Sequence, residues 1–173
     1  MTMRAVVVYE SHWGNTATVA RAIAAGIGEG AQAMTTDQAT AAAMAGVDLL
    51  VAGAPVIAFA LPRESARRQL AGDVKAPMPA DLSHPLLRSW LDGLPDGHGW
   101  AAAFETRIWW SPRGATGTIQ VRLRGAGYRV VAKPERFIVA GAYGPMRDGE
   151  VERARAWGAQ LAREVARRQG TTR

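Results

Sequence analysis

Apolar positions in this chain follow two alternating rhythms. Residues 5–9 (Ala-Val-Val-Val-Tyr) form a short unbroken apolar run, the pattern of a parallel strand buried on both faces. Val19, Ile23 and Ile27 then recur every fourth residue with Ala20 and Ala24 beside them, which marks one face of a helix. Gly26, Gly28 and Gly30 end it. Residues 32–36 predict a second, weakly marked strand, and the Ala-rich residues 38–45 a short helix stopped at Gly46. Residues 48–53 (Asp-Leu-Leu-Val-Ala-Gly) predict a strand. Pro62 suits the first position of a helix running to Ala71, because its missing N–H has no partner to lose there. Pro77 and Pro79 make residues 72–81 a loop. Ser83 is placed to cap a helix through Leu86, Leu87, Trp90 and Leu91, ended by Gly93 and Pro95. Residues 100–104 read as a strand, and Ile119, Leu123 and Ala126 as a helix. Strand material at residues 128–131 and 137–139 is broken at Pro134. Asp148 is placed to cap a last helix whose apolar face is Val151, Ala154, Trp157, Leu161 and Val165. Glu150 and Glu152 near its start and Arg167 and Arg168 near its end complement the helix dipole.

Strand followed by helix, about five times over, implies a parallel sheet with helices on both faces. Ligands of such sheets bind beyond the carboxyl ends of the strands, where the strand order reverses. With 173 residues and no dividing linker, residues 1–173 read as a single domain. Hydrophobic residues at 48% and charged residues at 21% exclude a disordered chain. The longest apolar stretch, residues 49–61, falls short of the about 20 residues a membrane span needs, so no span is expected. The net charge of +6 is thinly spread. The Arg-rich residues 122–136 and 153–168 lack interleaved exposed aromatics, which argues for solvated helix faces and against nucleic acid as a partner. The chain has no cysteine, which rules out disulfides, thiolate catalysis and Cys-based metal sites. No leader pattern opens it, and a cytoplasmic location is expected.

Candidate chemistry concentrates in the loop after the first strand, Glu10-Ser11-His12-Trp13-Gly14-Asn15-Thr16. A loop between a buried strand and a helix start aims backbone N–H groups and the positive end of the helix at one point. Ser11, Asn15 and Thr16 add side-chain donors, and Gly14 permits a tight turn. The pattern suits a phosphate cradle that needs no cation, and equally a plain helix cap. No G-x-x-x-x-G-K-[ST] motif is present, and the glycines at 26, 28 and 30 follow a helix instead of joining strand to helix. His12, His84 and His98 are scattered with no metal-ligand spacing, and no G-x-S-x-G elbow exists.

Residues 6–16 (Val-Val-Val-Tyr-Glu-Ser-His-Trp-Gly-Asn-Thr), continued by Val19, Ala20, Ala22 and Ile23, resemble the opening of the flavodoxin-like proteins. Residues 48–55 (Asp-Leu-Leu-Val-Ala-Gly-Ala-Pro) are similar to that family's third strand and second flavin loop, and Phe104-Glu105-Thr106-Arg107 to the end of its fourth strand. The resemblance implies a three-layer α/β doubly wound sandwich with a five-stranded parallel sheet of order 2-1-3-4-5. It implies FMN as cofactor, with Ser11, His12, Trp13, Gly14, Asn15 and Thr16 holding the phosphate. Gly53, Ala54, Pro55 and Val56 would line one side of the flavin ring, and Thr106, Arg107, Trp109 and Trp110 the other.

Two features depart from that family. Trp13 stands where flavodoxins usually carry a hydroxyl residue, and the chain is basic where carrier flavodoxins are usually acidic. Arg107 and Arg113 lie near the same edge, where one could balance the charge of reduced flavin or bind an acidic substrate, the alternative being exposed arginines with no specific role. Three functions follow as expectations. The first is electron transfer between redox partners, a partner protein or a small acceptor. The second is an FMN-dependent oxidoreductase, a NAD(P)H-dependent quinone or flavin reductase, which carries with it a homodimer that completes the site. The third is a binding module that has lost FMN, with Trp13 filling the space.

Overall fold

The computed structural model of the chain describes residues 2–171. β1 (Ala5–Tyr9) leads to α1 (Asn15–Ile27), β2 (Ala31–Thr35), the single turn α2 (Ala41–Met44) and β3 (Leu49–Pro55). Then come α3 (Glu64–Ala71), α4 (Leu87–Asp92), β4 (Trp100–Arg107), α5 (Thr116–Gly125), β5 (Arg129–Val130), β6 (Glu135–Ile138) and α6 (Glu150–Gly170). Every strand pairs in parallel, in the order β2-β1-β3-β4-β5, and β6 also pairs with β4.

The fifth position of the expected sheet is thus shared by two short strands. β5 stops opposite Ala101 and β6 resumes opposite Phe104, so residues 131–134 stand against residues 102–103. Pro134 has no N–H to give to the ladder, and the excess chain bulges out before it. β4 keeps partners on both sides of that break.

Alternation along β1 sets the two cores. Ala5, Val7 and Tyr9 pack with Val19, Ala20 and Ile23 of α1 and Ala154, Trp157, Leu161 and Val165 of α6. Val6 and Val8 face the other way, onto Leu87 and Leu91 of α4 and Ile119 and Leu123 of α5. α3 buries none of its side chains. No helix among the described residues is long and apolar enough to cross a membrane.

Four helix starts differ from the sequence reading. Pro62 lies outside α3, which begins at Glu64. Ser83 caps nothing: its amide and hydroxyl both donate to the Asp81 carboxylate, and the Leu87 amide at the start of α4 is taken by Glu10 Oε1 at 2.8 Å. Asp148 gives way to Gly149, whose left-handed backbone turns the chain into α6. α2 is shorter than residues 38–45 because Thr40, inside that range, is its cap.

The strands all run the same way, so the loops after β1, β3, β4 and β6 meet at one edge of the sheet. The chain runs from β1 outward to β2 and then back across to β3. The loops after β1 and β3 therefore part, and a cleft opens between them.

Candidate functional site

A cavity of about 260 Å³ lies in that cleft. Ser11, His12, Trp13, Asn15 and Thr16 line it from the β1–α1 loop, with Pro55 and Val56 from the end of β3 and Thr106 and Arg107 from the end of β4.

Gly14 makes the loop turn. Its φ of +92° is left-handed backbone, which other residues enter at about 1–2 kcal/mol. The Ser11 hydroxyl oxygen accepts the Gly14 and Ala17 amides, each at 3.2 Å, and so caps α1 from outside the helix. With both its acceptor positions used, the Ser11 O–H remains a donor. The amides of His12, Trp13, Asn15 and Thr16 meet no protein acceptor among the described residues. Two loop amides expected to face a ligand are instead taken internally: Gly14 by Ser11 Oγ, and Ser11 by the His84 ring at 3.1 Å. Thr16 Oγ1 and Thr106 Oγ1 share a hydrogen bond of 2.8 Å across the floor.

Buried polar groups support the loop from behind. His12 Nδ1 lies 3.0 Å from the Asp81 carbonyl, which only accepts, so Nδ1 carries a proton. The 2.6 Å contact between His12 Nε2 and Glu10 Oε2 then holds a second proton. An isolated buried carboxylate costs several kcal/mol. Here both Glu10 oxygens are met, one by His12 and one by the Leu87 amide. Glu105 plays the matching part at the end of β4, accepting the Ala115 and Thr116 amides at the start of α5.

Trp13 stands at the wall of the cavity. Its indole N–H donates to the Met78 carbonyl at 3.2 Å, and its ring meets Tyr143 edge-on at 4.9 Å between centroids. Tyr143 O–H donates to Asp73 at 2.6 Å, which holds the Asp73 carboxyl below its ordinary range and pushes the phenol up. Asn15 Nδ2 donates to the Tyr143 carbonyl at 3.1 Å. Its side chain therefore braces the wall, while its amide faces no protein acceptor.

The other expected side chains are arranged differently. Gly53 and Ala54 belong to β3 and do not reach the cavity. Ala54 packs into the core under α5. A Cβ on Gly53 would sit 2.1 Å from the Phe104 ring, so glycine is there to admit that ring. Arg107 spends its guanidinium on Glu105 at 3.2 Å and on the Ser111 carbonyl, away from the open side. Trp109 and Trp110 are 66% and 55% exposed and lie outside the cavity. The turn carrying them is folded back by the Arg107–Ser111 and Ser111–Arg113 hydrogen bonds, which throws both indoles outward. Trp110 meets Phe59 edge-on at 5.9 Å. Phe59 and its neighbour Ala58 both hold positive φ, 61° and 50°.

Several lining residues carry no local sequence signal. Leu70 and Asp73 come from α3 and the loop after it, and Val139, Ala142 and Tyr143 from the loop after β6. Only Tyr143 had a usable cue, an aromatic between Gly141 and Gly144 beyond a last strand.

Solved structures share this architecture. A flavodoxin from the domain Archaea superposes with a TM-score of 0.66 at 19% identity, over 95% of this chain and 99% of that one. The Flv1 flavodiiron core from Synechocystis sp. PCC6803 gives 0.65 at 18% identity, over 96% of this chain and 36% of that one. A WrbA-like flavodoxin protein from Agrobacterium tumefaciens gives 0.61 at 18%, over 95% and 98%. No protein family's sequence pattern matches the chain, and no curated protein matches it in sequence. The chain has the flavodoxin-like fold, an α/β parallel sheet of order 2-1-3-4-5 with the additional strand β6.

Proposed function

We propose that this chain binds FMN and transfers electrons between redox partners. The observation that carries the reading is the donor set of the β1–α1 loop: unpaired amides at His12, Trp13, Asn15 and Thr16 with the Ser11 hydroxyl, on one cavity and at one helix start. Such a set fits a phosphate dianion, with each charge-assisted hydrogen bond worth roughly 1.5–3 kcal/mol. Trp13 fits as well, because its indole is held in the wall and its amide stays available. The wall costs one hydroxyl donor and leaves the backbone donors in place.

FMN, when bound, supplies the electron chemistry. The chain supplies binding and orientation. The amides of His12, Trp13, Asn15 and Thr16 with the Ser11 hydroxyl would hold the phosphate, Gly14 making the turn that gathers them; Pro55, Val56 and Thr106 would flank the remainder, and Arg107 braces the loop after β4. A cavity of about 260 Å³ is small for a ligand of this size, so part of it stays at the surface. That exposure suits exchange with a partner protein.

The partner meets the apolar rim of Phe59, Trp109 and Trp110, 36% to 66% exposed. Residues 56–63 and 108–114 contain Arg63 and Arg113 and no Asp or Glu, so the partner presents carboxylates there. The cytoplasm is the place of action in this reading.

FMN added to the purified protein is expected to lose fluorescence in a saturable titration, with a matching heat signal. Neither signal appearing overturns the proposal. The WrbA-like neighbour motivates a reductase as the second reading. Steady-state NADPH oxidation with a quinone by a dimer favours that reading, and a monomer inert to NADPH favours the carrier.

A further inference from the structure

We infer that His84 is a positioning residue of the β1–α1 loop: as a neutral ring it holds the Ser11 N–H, and its protonation releases the loop and weakens phosphate binding. This rests on the FMN reading and names how that same site is held.

His84 comes from the loop before α4, 73 residues beyond Ser11, and is 3% exposed. Its Nε2 lies 3.1 Å from the Ser11 nitrogen. A backbone amide only donates, so Nε2 is the acceptor and carries no proton. The neutral ring then bears its proton on Nδ1. Among the described residues Nδ1 is buried without a hydrogen-bond partner, and the Asp81 Oδ1 atom is 3.8 Å away, beyond bonding distance. The ring is thus committed to one hydrogen bond, and that bond fixes Ser11.

Ser11 is where the loop is tied together. Its Oγ gathers the Gly14 and Ala17 amides, which shapes the left-handed turn and the first turn of α1. If Nε2 gained a proton, two N–H groups would face each other at the present 3.1 Å, and one must move. Moving Ser11 disturbs both of its amide partners and therefore the donors around them.

The charged and titratable groups around His84 come from three directions. The His12 ring stacks on it at 6.2 Å and 18°, with Glu10 on the same segment. Asp81 lies on its own loop, and Asp37 on the loop after β2. The three carboxylates favour a charged ring. Burial and His12 oppose it, burial most strongly, and His84 titrates below the ordinary histidine value. The neutral ring therefore prevails through neutral pH, and the release falls on the acid side. A charged ring would also attract a dianion, an effect of opposite sign.

The test is FMN affinity from pH 8 to pH 5 for the wild type and His84→Gln. Glutamine offers an acceptor oxygen at the Nε2 position and has no proton to gain. The titration of FMN itself is common to both proteins and cancels in the ratio. At pH 8 the two affinities are expected to agree. Below the His84 transition the ratio should move in favour of His84→Gln, approaching about tenfold per pH unit. A flat ratio, or one that moves in favour of the wild type, overturns the inference. If neither protein binds FMN at any pH, the FMN reading falls and this inference with it. Should His84→Gln not fold, ¹⁵N NMR of the wild type decides. A ring protonated on Nδ1 at pH 8, with a Ser11 amide that shifts as His84 titrates, supports the inference. A ring protonated on Nε2 overturns it.

Discussion

At one end of the cavity, the β1–α1 loop presents amides and a hydroxyl, and each support behind it is a buried hydrogen bond: Ser11 to His84, His12 to Glu10, Glu10 to Leu87. At the other end, residues 56–63 and 108–114 present apolar side chains, with Phe59, Trp109 and Trp110 standing in solvent. The first end is held in place by the protein's own hydrogen bonds, so under the proposed function it is the end that would set affinity and select for an anion. The second leaves three large aromatic side chains partly exposed, and under the proposed function it would serve access. Substitutions at the two ends should therefore separate: loop changes act on FMN binding, and rim changes act on exchange with a partner.

Ser11→Ala tests that separation hardest. It strands the Gly14 and Ala17 amides and deletes a donor, a loss of about 2–3 kcal/mol, or roughly 30- to 150-fold in FMN affinity. Riboflavin, which lacks the phosphate, should bind the variant and the wild type alike. Equal losses for both ligands, measured by fluorescence titration, would show that Ser11 shapes the whole cavity and not one end of it.

Gly53→Ala probes the strand beneath the ring end. The new methyl would overlap the Phe104 ring, and a stability loss of about 1–3 kcal/mol should follow in urea unfolding. An unchanged midpoint would mean that the ring moves aside freely.

Acid should destabilise the wild type more than His84→Gln. The folded His84 titrates below its ordinary value, so its contribution is complete above about pH 6.5. As pH falls below that, the unfolded chain binds the proton first, and the contribution is lost through the folded transition. Urea unfolding of both proteins at pH 8 and pH 5.5 reads the difference, and parallel losses would contradict it.

Replacing Trp109 and Trp110 together by alanine should leave FMN affinity within about twofold, since neither indole lines the cavity. Electron exchange with an acidic partner should slow, because exposed aromatics are where binding energy concentrates at interfaces. Tyr143→Phe should do least. The Tyr143–Asp73 bond is only partly buried, so stability should hold within about 0.5 kcal/mol while the Asp73 carboxyl returns toward its ordinary range by NMR titration.

The legibility of the sequence follows the same division. The sheet was readable because β1, β3 and β4 are apolar runs bounded by turn residues. The break at Pro134 announced the divided fifth strand. The position of the β1–α1 loop was readable because strand, glycine turn and helix are consecutive, but the partner of its Ser11 amide was not, since His84 comes from 73 residues away. The helix caps at Leu87 and Thr116 were not readable: the acceptor for Leu87, Glu10, arrives from 77 residues earlier in the chain, and the acceptor for Thr116, Glu105, sits inside β4 and not at a helix-capping position. The direction of Trp109 and Trp110 was equally hidden. It depends on the Arg107–Ser111 bond, and a Trp-Trp pair reads the same whether it faces a ligand or water. Asp73 and His84 lie in a loop without periodicity, and only the fold brings them to the cavity and to Ser11.

Comparing FMN with riboflavin in parallel titrations of the wild-type protein isolates the phosphate from the ring. An anion cradle at residues 11–16 predicts that FMN binds about 100-fold more tightly or better, the return expected from two or more charge-assisted hydrogen bonds. Equal affinities for the two flavins, or no binding of either, would contradict it.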